Sequence, residues 1–244
     1  MARLGLMLYT VRDDCARDLA GTLRAVASMG FEGVELFELY GHDAATVRGW
    51  LDELGLAVCA RHASLDAVES ELPALAADAR ALGLHRVVVS WIPPPASTAE
   101  ADAWVERLAL AARRAVRHGL ELGFHNHDGE LRPLEDGSTF LDRVLESPLF
   151  LELDLGWVWF AGADPAELLE RTRGRTPLVH VKDFRARGER SFTTVGDGGV
   201  GYDGVAPAAV EAGVEWLLVE QDETDGPALD AVRRSLDALR AFLT

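Results

Sequence analysis

Lysine is almost missing from this chain. Of 24 basic residues among 244, Lys182 is the one lysine and the other 23 are arginine. Forty acidic residues outnumber them, giving a formal net charge of −16. No basic stripe interrupts that balance, and phosphate backbones are bound by clustered Lys and Arg, so nucleic acid is excluded as the expected partner. The arginine bias reads as the mark of a GC-rich genome, and the acidity as a solubility feature. Cysteine is equally scarce. Cys15 and Cys59 stand alone without a C-x-x-C partner, so neither a disulfide framework nor a zinc finger is expected, only two small residues at least half-buried. No apolar run approaches the roughly 20 residues that span a bilayer. The first ten residues lack the charged and apolar regions of a signal peptide. A cytoplasmic protein without a membrane partner is the expectation. Low-complexity tracts and linkers are also lacking, so residues 1–244 read as one domain.

What is present is a repeated unit. A helix-like segment ends in glycine and a short β-rich run follows at once, as at Met29-Gly30-Phe31, Leu54-Gly55-Leu56, Leu82-Gly83-Leu84, His118-Gly119-Leu120 and Ala212-Gly213-Val214. Glycine takes the left-handed conformation after a helix at little cost. The spacing, often 25–36 residues, is about one βα unit. Eight strands follow: Leu4–Tyr9, Gly33–Phe37, Ala57–His62, Arg86–Trp91, Glu121–His127, Phe150–Asp154, Leu178–Lys182 and Trp216–Glu220. Helical patterns fill the gaps, for example Asp18–Met29, Ala44–Glu53, Ala67–Leu82, Ala99–His118 and Leu229–Leu243. Several strands are continuous apolar runs, as in a parallel sheet covered on both faces. An open doubly wound sheet usually carries a Gly-rich loop after its first strand, but here Thr10-Val11-Arg12-Asp13-Asp14 has no glycine. Eight units in one α/β domain predict a closed (β/α)₈ barrel, the TIM barrel. Pro93–Pro95 reads as a rigid loop after the fourth strand.

Active sites of such barrels lie at the C-terminal ends of the strands. Here those ends read Tyr9, Glu35 to Glu38, His62, Trp91, His125 with His127, Asp154, His180 with Lys182, and Glu220 with Asp222. They are far more polar than the strands, and they hold four of the seven histidines. Alternate residues share a face, which pairs His125 with His127, His180 with Lys182, and Glu220 with Asp222. If Asp154 faces the mouth, Glu152 lies one layer deeper and needs a partner that the sequence does not name. Carboxylates with neutral imidazole suit Mn²⁺, Zn²⁺, Mg²⁺ or Co²⁺. Such an ion would polarise a carbonyl or hydroxyl oxygen and acidify a neighbouring C–H.

Nearly the whole chain resembles the xylose-isomerase-like barrel superfamily of sugar phosphate isomerases and epimerases. The resemblance runs through Leu4–Arg12, Gly30–Leu36, Phe124-His125-Asn126-His127-Asp128-Gly129-Glu130, Leu151–Trp157, Val179–Phe184, Val195–Gly199 and Leu218–Asp222. It implies a divalent metal held by Asp154, His180, Glu220 and a fourth ligand. Glu130 is the expected fourth ligand, with His125 or His127 behind it. In many members a Glu ends the fifth strand, where this chain has His125. The aromatic that usually precedes the motif's Glu is Gly129. His62, His125, Trp157 and Lys182 look like substrate-side residues.

The activity so implied is a sugar or keto-polyol isomerase or epimerase working by proton transfer beside a carbonyl, with Glu130 and Glu220 as bases. The alternative is a dehydratase or lyase on keto-inositols or keto-glycosides, with His127 as base. A DNA-repair nuclease is disfavoured by the charge. A non-catalytic sugar-binding barrel or subunit would have little use for an intact ligand set. The expected partners are a small sugar or polyol and a second copy of the chain in a homodimer. The Gly196–Gly201 loop reads either as an anion-binding nest, which Asp197 argues against, or as a turn that orders over substrate.

Overall fold

The computed structural model describes residues 2–244. Ten strands form, numbered along the chain: β1 Arg3–Met7, β2 Gly33–Leu36, β3 Ala57–Ala63, β4 Arg86–Val89, β5 Glu121–His125, β6 Phe150–Asp154, β7 Leu178–Val181, β8 Asp183–Phe184, β9 Phe192–Thr193 and β10 Trp216–Val219. Eight of them close a parallel barrel in the order β1-β10-β7-β6-β5-β4-β3-β2. β8 and β9 pair separately as an antiparallel hairpin above the seventh strand. The expected (β/α)₈ barrel is therefore the fold.

The strands are apolar because both faces are covered: barrel interior on one side, helices on the other. Leu6, Val34, Val88, Leu153, Val179 and Leu217 are fully buried. The helices end as the sequence predicts, with Gly30, Gly55 and Gly83 at positive φ one residue beyond them. Two helical boundaries differ from expectation. A short helical turn from Arg12 precedes the expected first helix, and the two meet at a kink at Asp18, whose φ of −158° and ψ of 88° are non-helical and whose Oδ1 accepts from Gly21 N–H at 2.9 Å. The predicted helix Ala67–Leu82 is two helices, Leu65–Ser70 and Leu72–Leu82, which break at Glu71 ahead of Pro73; proline is tolerated in a first turn and not in a helix interior. Cys15 and Cys59 are free and buried. Among the described residues no helix is long and apolar enough to cross a membrane.

Two local features aim the strand ends. Between β2 and β3 the register slips after Val34, so that Glu35 faces Ala60 and Cys59 is left over. A bulge of this kind redirects side chains next to it. After β6 the chain enters helix Leu155–Phe160, and Asp154 is its N-cap, with Oδ1 accepting from Trp157 N–H at 2.8 Å. That bond fixes the carboxylate and leaves Oδ2 to face the barrel mouth.

Candidate active site

The barrel holds two polar layers. In the deeper one, Glu35 of β2, His62 of β3, His125 of β5, Glu152 of β6 and His180 of β7 meet. Glu152 Oε1 lies 2.7 Å from His62 Nε2, 3.0 Å from His125 Nδ1 and 3.2 Å from His180 Nε2. These imidazoles are the partners that a buried Glu152 requires. His180 Nε2 also lies 2.7 Å from Glu35 Oε2, while its Nδ1 lies 2.7 Å from Glu220 Oε2. The His62 and His180 rings stack at 5.6 Å.

The upper layer is built on Lys182. Its ammonium sits 2.9 Å from Asp154, 2.8 Å from Glu220 and 3.0 Å from Asp222. The shared faces expected for His180 with Lys182 and for Glu220 with Asp222 are realised in these contacts. Asn126 ties two strand ends together, its Oδ1 accepting from Asp154 N–H at 3.1 Å.

Electrostatics follow from burial. Glu35, Glu152 and Asp154 are 0% exposed, and burial disfavours a carboxylate unless cations compensate. Burial pushes Glu35 up to about 7, helped by Glu152. It pushes Asp154 up to about 6 against the pull of Lys182. For Glu152 burial is outweighed by His180 and His62, which hold it well below the usual carboxylate range. For Glu220 burial is outweighed by Lys182 and His180. Burial also pushes Glu130 up to about 7. His127 goes the other way, down to about 4, because burial and the Lys182 charge both oppose its protonation.

A cavity of about 550 Å³ opens above these layers. His62, His125, His127, Glu130, Trp157, Lys182 and Glu220 all line it. Asp154 and His180 lie just beneath, in contact with Lys182 and Glu220. Tyr9, Phe37, Trp91 and Phe192 add aromatic wall, and Arg132 and Arg190 add two cations. Both arginines are matched by one acid: Asp128 lies 2.6 Å from Arg132 and 3.6 Å from Arg190. Arg190 and Phe192 carried no signal in the sequence, since they belong to the β8–β9 hairpin and reach the mouth only through the fold.

The donor atoms of His125, Asp154, His180 and Glu220 lie within 4.8 Å of one another, and so do those of His62, His125, Glu152 and His180. Glu130 falls outside both groups. It sits on a short 3₁₀ turn, where Oε2 accepts from His127 N–H at 3.0 Å and Oε1 is buried without a partner. The donor set fits a divalent cation in charge and chemistry. Lys182 is the one buried Lys or Arg among the described residues, set against buried Glu35, Glu152, Asp154 and Glu220. Mixed carboxylate and imidazole donors suit Mn²⁺, Zn²⁺, Mg²⁺ or Co²⁺.

The Gly-rich loop is not an open nest. Gly196 N–H and Gly198 N–H donate to Asp183 Oδ2 at 2.9 and 3.1 Å, and Val200 N–H donates to Asp183 Oδ1 at 3.2 Å. The protein's own carboxylate holds the place of an anion there.

Fold and site together define a class. The xylose isomerase-like TIM barrel model matches residues 23–242, and the chain belongs to that family. The family's members include sugar epimerases, isomerases and inosose dehydratases, all enzymes. The chain is 28% identical over 245 residues to the rhizopine catabolism protein MocC of Rhizobium meliloti, covering 84% of this chain and 75% of that one. It is 24% identical over 246 residues to an inosose dehydratase of Geobacillus kaustophilus, covering 82% and 79%. A sugar phosphate isomerase/epimerase structure from Parabacteroides distasonis superposes with a TM-score of 0.87 at 19% identity, covering both chains fully. At that identity the structural likeness speaks for the fold alone.

Proposed function

We propose that this protein is a divalent-metal-dependent lyase that removes a proton beside a carbonyl of a small uncharged polyol ketone and expels water. The observation that carries this reading is the state of the four histidines at the strand ends. His62, His125 and His180 are tied to Glu152, Glu35 or Glu220, whereas His127 lines the cavity with Nδ1 buried and without a partner. It is the one imidazole of the set free to take a proton.

Asp154, His180 and Glu220 would hold the metal. Glu130 would complete the set, since its Oε1 is buried and lacks a hydrogen-bond partner; His125 is the alternative fourth donor. When bound, the ion would polarise the carbonyl oxygen and so acidify the adjoining C–H. The His127 imidazole would take that proton. The C–H electron pair forms the new double bond, the C–O bond on the next carbon breaks, and the departing hydroxide takes the proton from His127 and leaves as water. One base suffices for this sequence. Epimerisation needs a base on each face of the substrate, and the expected pair, Glu130 and Glu220, is here assigned to the metal. The likeness to MocC and to an inosose dehydratase supports elimination on a cyclitol ketone.

An uncharged substrate is favoured by the occupied loop. Its amides are committed to Asp183. Tyr9, Phe37, Trp91 and Trp157 offer rings for the C–H face of a polyol. Isomerisation is the second reading, favoured by Glu130 and Glu220 both lining the one cavity.

The deciding experiment incubates Mn²⁺-loaded protein with inososes, ketoses and keto-glycosides in D₂O. A product lighter by one water supports the lyase. Deuterium in a product of unchanged formula supports the isomerase. Neither exchange nor elimination, in a protein that binds no Mn²⁺, would favour a non-catalytic barrel.

A further inference from the structure

The mechanism leaves two fully buried acids unused, Glu35 and Glu152, of which only Glu152 belongs to a group of clustered donor atoms. Glu35 is 0% exposed, does not line the cavity and lies outside both groups of clustered donor atoms. The fold nevertheless spends a β-bulge on it. The register slip between Val34 and Glu35 places Cys59 as the extra residue, and Cys59 Sγ donates to Val34 O at 3.3 Å. The side chain so aimed meets His180 Nε2 at 2.7 Å from the opposite side of the barrel, 145 residues away in sequence.

From this geometry we infer that Glu35 is a positioning residue: it accepts the Nε2–H of His180 and so holds that ring in the tautomer whose Nδ1 is offered to the metal. The inference rests on the proposed metal-dependent reading. An imidazole that ligates through one nitrogen keeps its proton on the other, and the acceptor of that proton fixes both tautomer and ring orientation. His180 has carboxylates on both nitrogens. The two differ in what surrounds them. Glu220, on the Nδ1 side, belongs with Asp154 to the donor group and lines the cavity. Glu35, on the Nε2 side, is walled off beneath it. Glu152 Oε1 stands 3.2 Å from the same Nε2 and is already shared by His62 and His125, which leaves Glu35 the nearer acceptor. Only Nδ1 therefore faces the place where substrate and ion meet.

The first test uses the wild-type chain. Histidine ¹⁵N spectra of the Zn²⁺-loaded protein should assign His180 a protonated Nε2 and a metal-bound Nδ1. The reverse assignment overturns the inference. The second test measures Mn²⁺ affinity by competition with a chelator, with the fold followed by circular dichroism. Glu35→Leu should weaken binding by about 10- to 100-fold, the cost typical of losing such a partner. Glu35→Gln keeps an acceptor oxygen and should recover most of that loss. Unchanged affinity in Glu35→Leu overturns the inference while leaving the metal site standing. Two Mn²⁺ ions per chain would put one in the deeper set and also overturn it. Absence of Mn²⁺ binding in the wild type would overturn both this inference and the reading it rests on, and Asp154→Asn, expected to lose the ion, is the control that separates these cases.

Discussion

The ammonium of Lys182 lies 2.8 Å from the carboxylate of Glu220, inside a barrel mouth where neither side chain is more than 6% exposed. An ion pair this buried is costly to form and more costly to break from one side. It also concentrates much of the site's charge: Asp154 and Asp222 join the same ammonium.

Replacing Lys182 by Met should therefore destabilise the metal-free protein by about 3–5 kcal/mol, the range for orphaning a buried partner. Added Mn²⁺ should restore part of that loss by supplying positive charge to the same carboxylates. Urea denaturation with and without Mn²⁺ reads both numbers. An equal loss in the two conditions would separate Lys182 from the metal site. Turnover should fall as well, and wild-type kinetics would make the lysine incidental.

Asp154→Asn and Glu220→Gln should each remove most of the bound metal, measured by elemental analysis of protein dialysed against Mn²⁺. Full retention in both variants would sink the proposed ligand set.

His127→Gln should lower kcat by about 10²- to 10⁴-fold, the usual share of a positioned acid–base group. It should also abolish solvent deuterium exchange while leaving Mn²⁺ affinity near wild type. A loss of metal binding instead would move His127 from base to ligand.

Glu130 gives a pH test on the metal-free protein. Burial raises its folded pKa to about 7 from the ordinary 4.5, so the folded state binds more protons than the unfolded state between those values. The stability it contributes is present below pH 4.5 and is lost as pH rises through 7. Glu130→Gln, neutral at every pH, should be more stable than wild type at pH 8 by on the order of 3 kcal/mol. At pH 4 the difference should vanish. A pH-independent difference would refute this account of the carboxyl.

Asp183→Ala should open the amide nest that Asp183 fills. Inorganic phosphate should then raise the melting temperature of the variant and leave that of the wild type unchanged. Stabilisation of the wild type by phosphate would contradict the uncharged substrate.

Much of this architecture was legible in the sequence. Apolar runs such as Leu178–Val181 and Trp216–Val219 announce strands because a parallel barrel buries both of their faces, and Gly30, Gly55 and Gly83 announce helix ends because few other residues take that conformation cheaply. The polar residues at the strand ends followed from the barrel rule, parity paired His180 with Lys182 and Glu220 with Asp222, and the family resemblance added Asp154, His180 and Glu220 as one ligand set. What sequence could not decide was partnership across the barrel. Glu152 needed a counter-group, and His62, His125 and His180 come from three other strands. Glu35 could be seen at a strand end, but its aim at His180 depends on a one-residue bulge. Asp183 filling the Gly196–Gly201 loop depends on a hairpin that no periodicity announces. Local chemistry fixes which elements form and which residues reach their ends, since it acts within a few residues. Closure of the barrel brings residues more than a hundred positions apart into hydrogen-bond contact, and only there is it decided which carboxylate meets which imidazole.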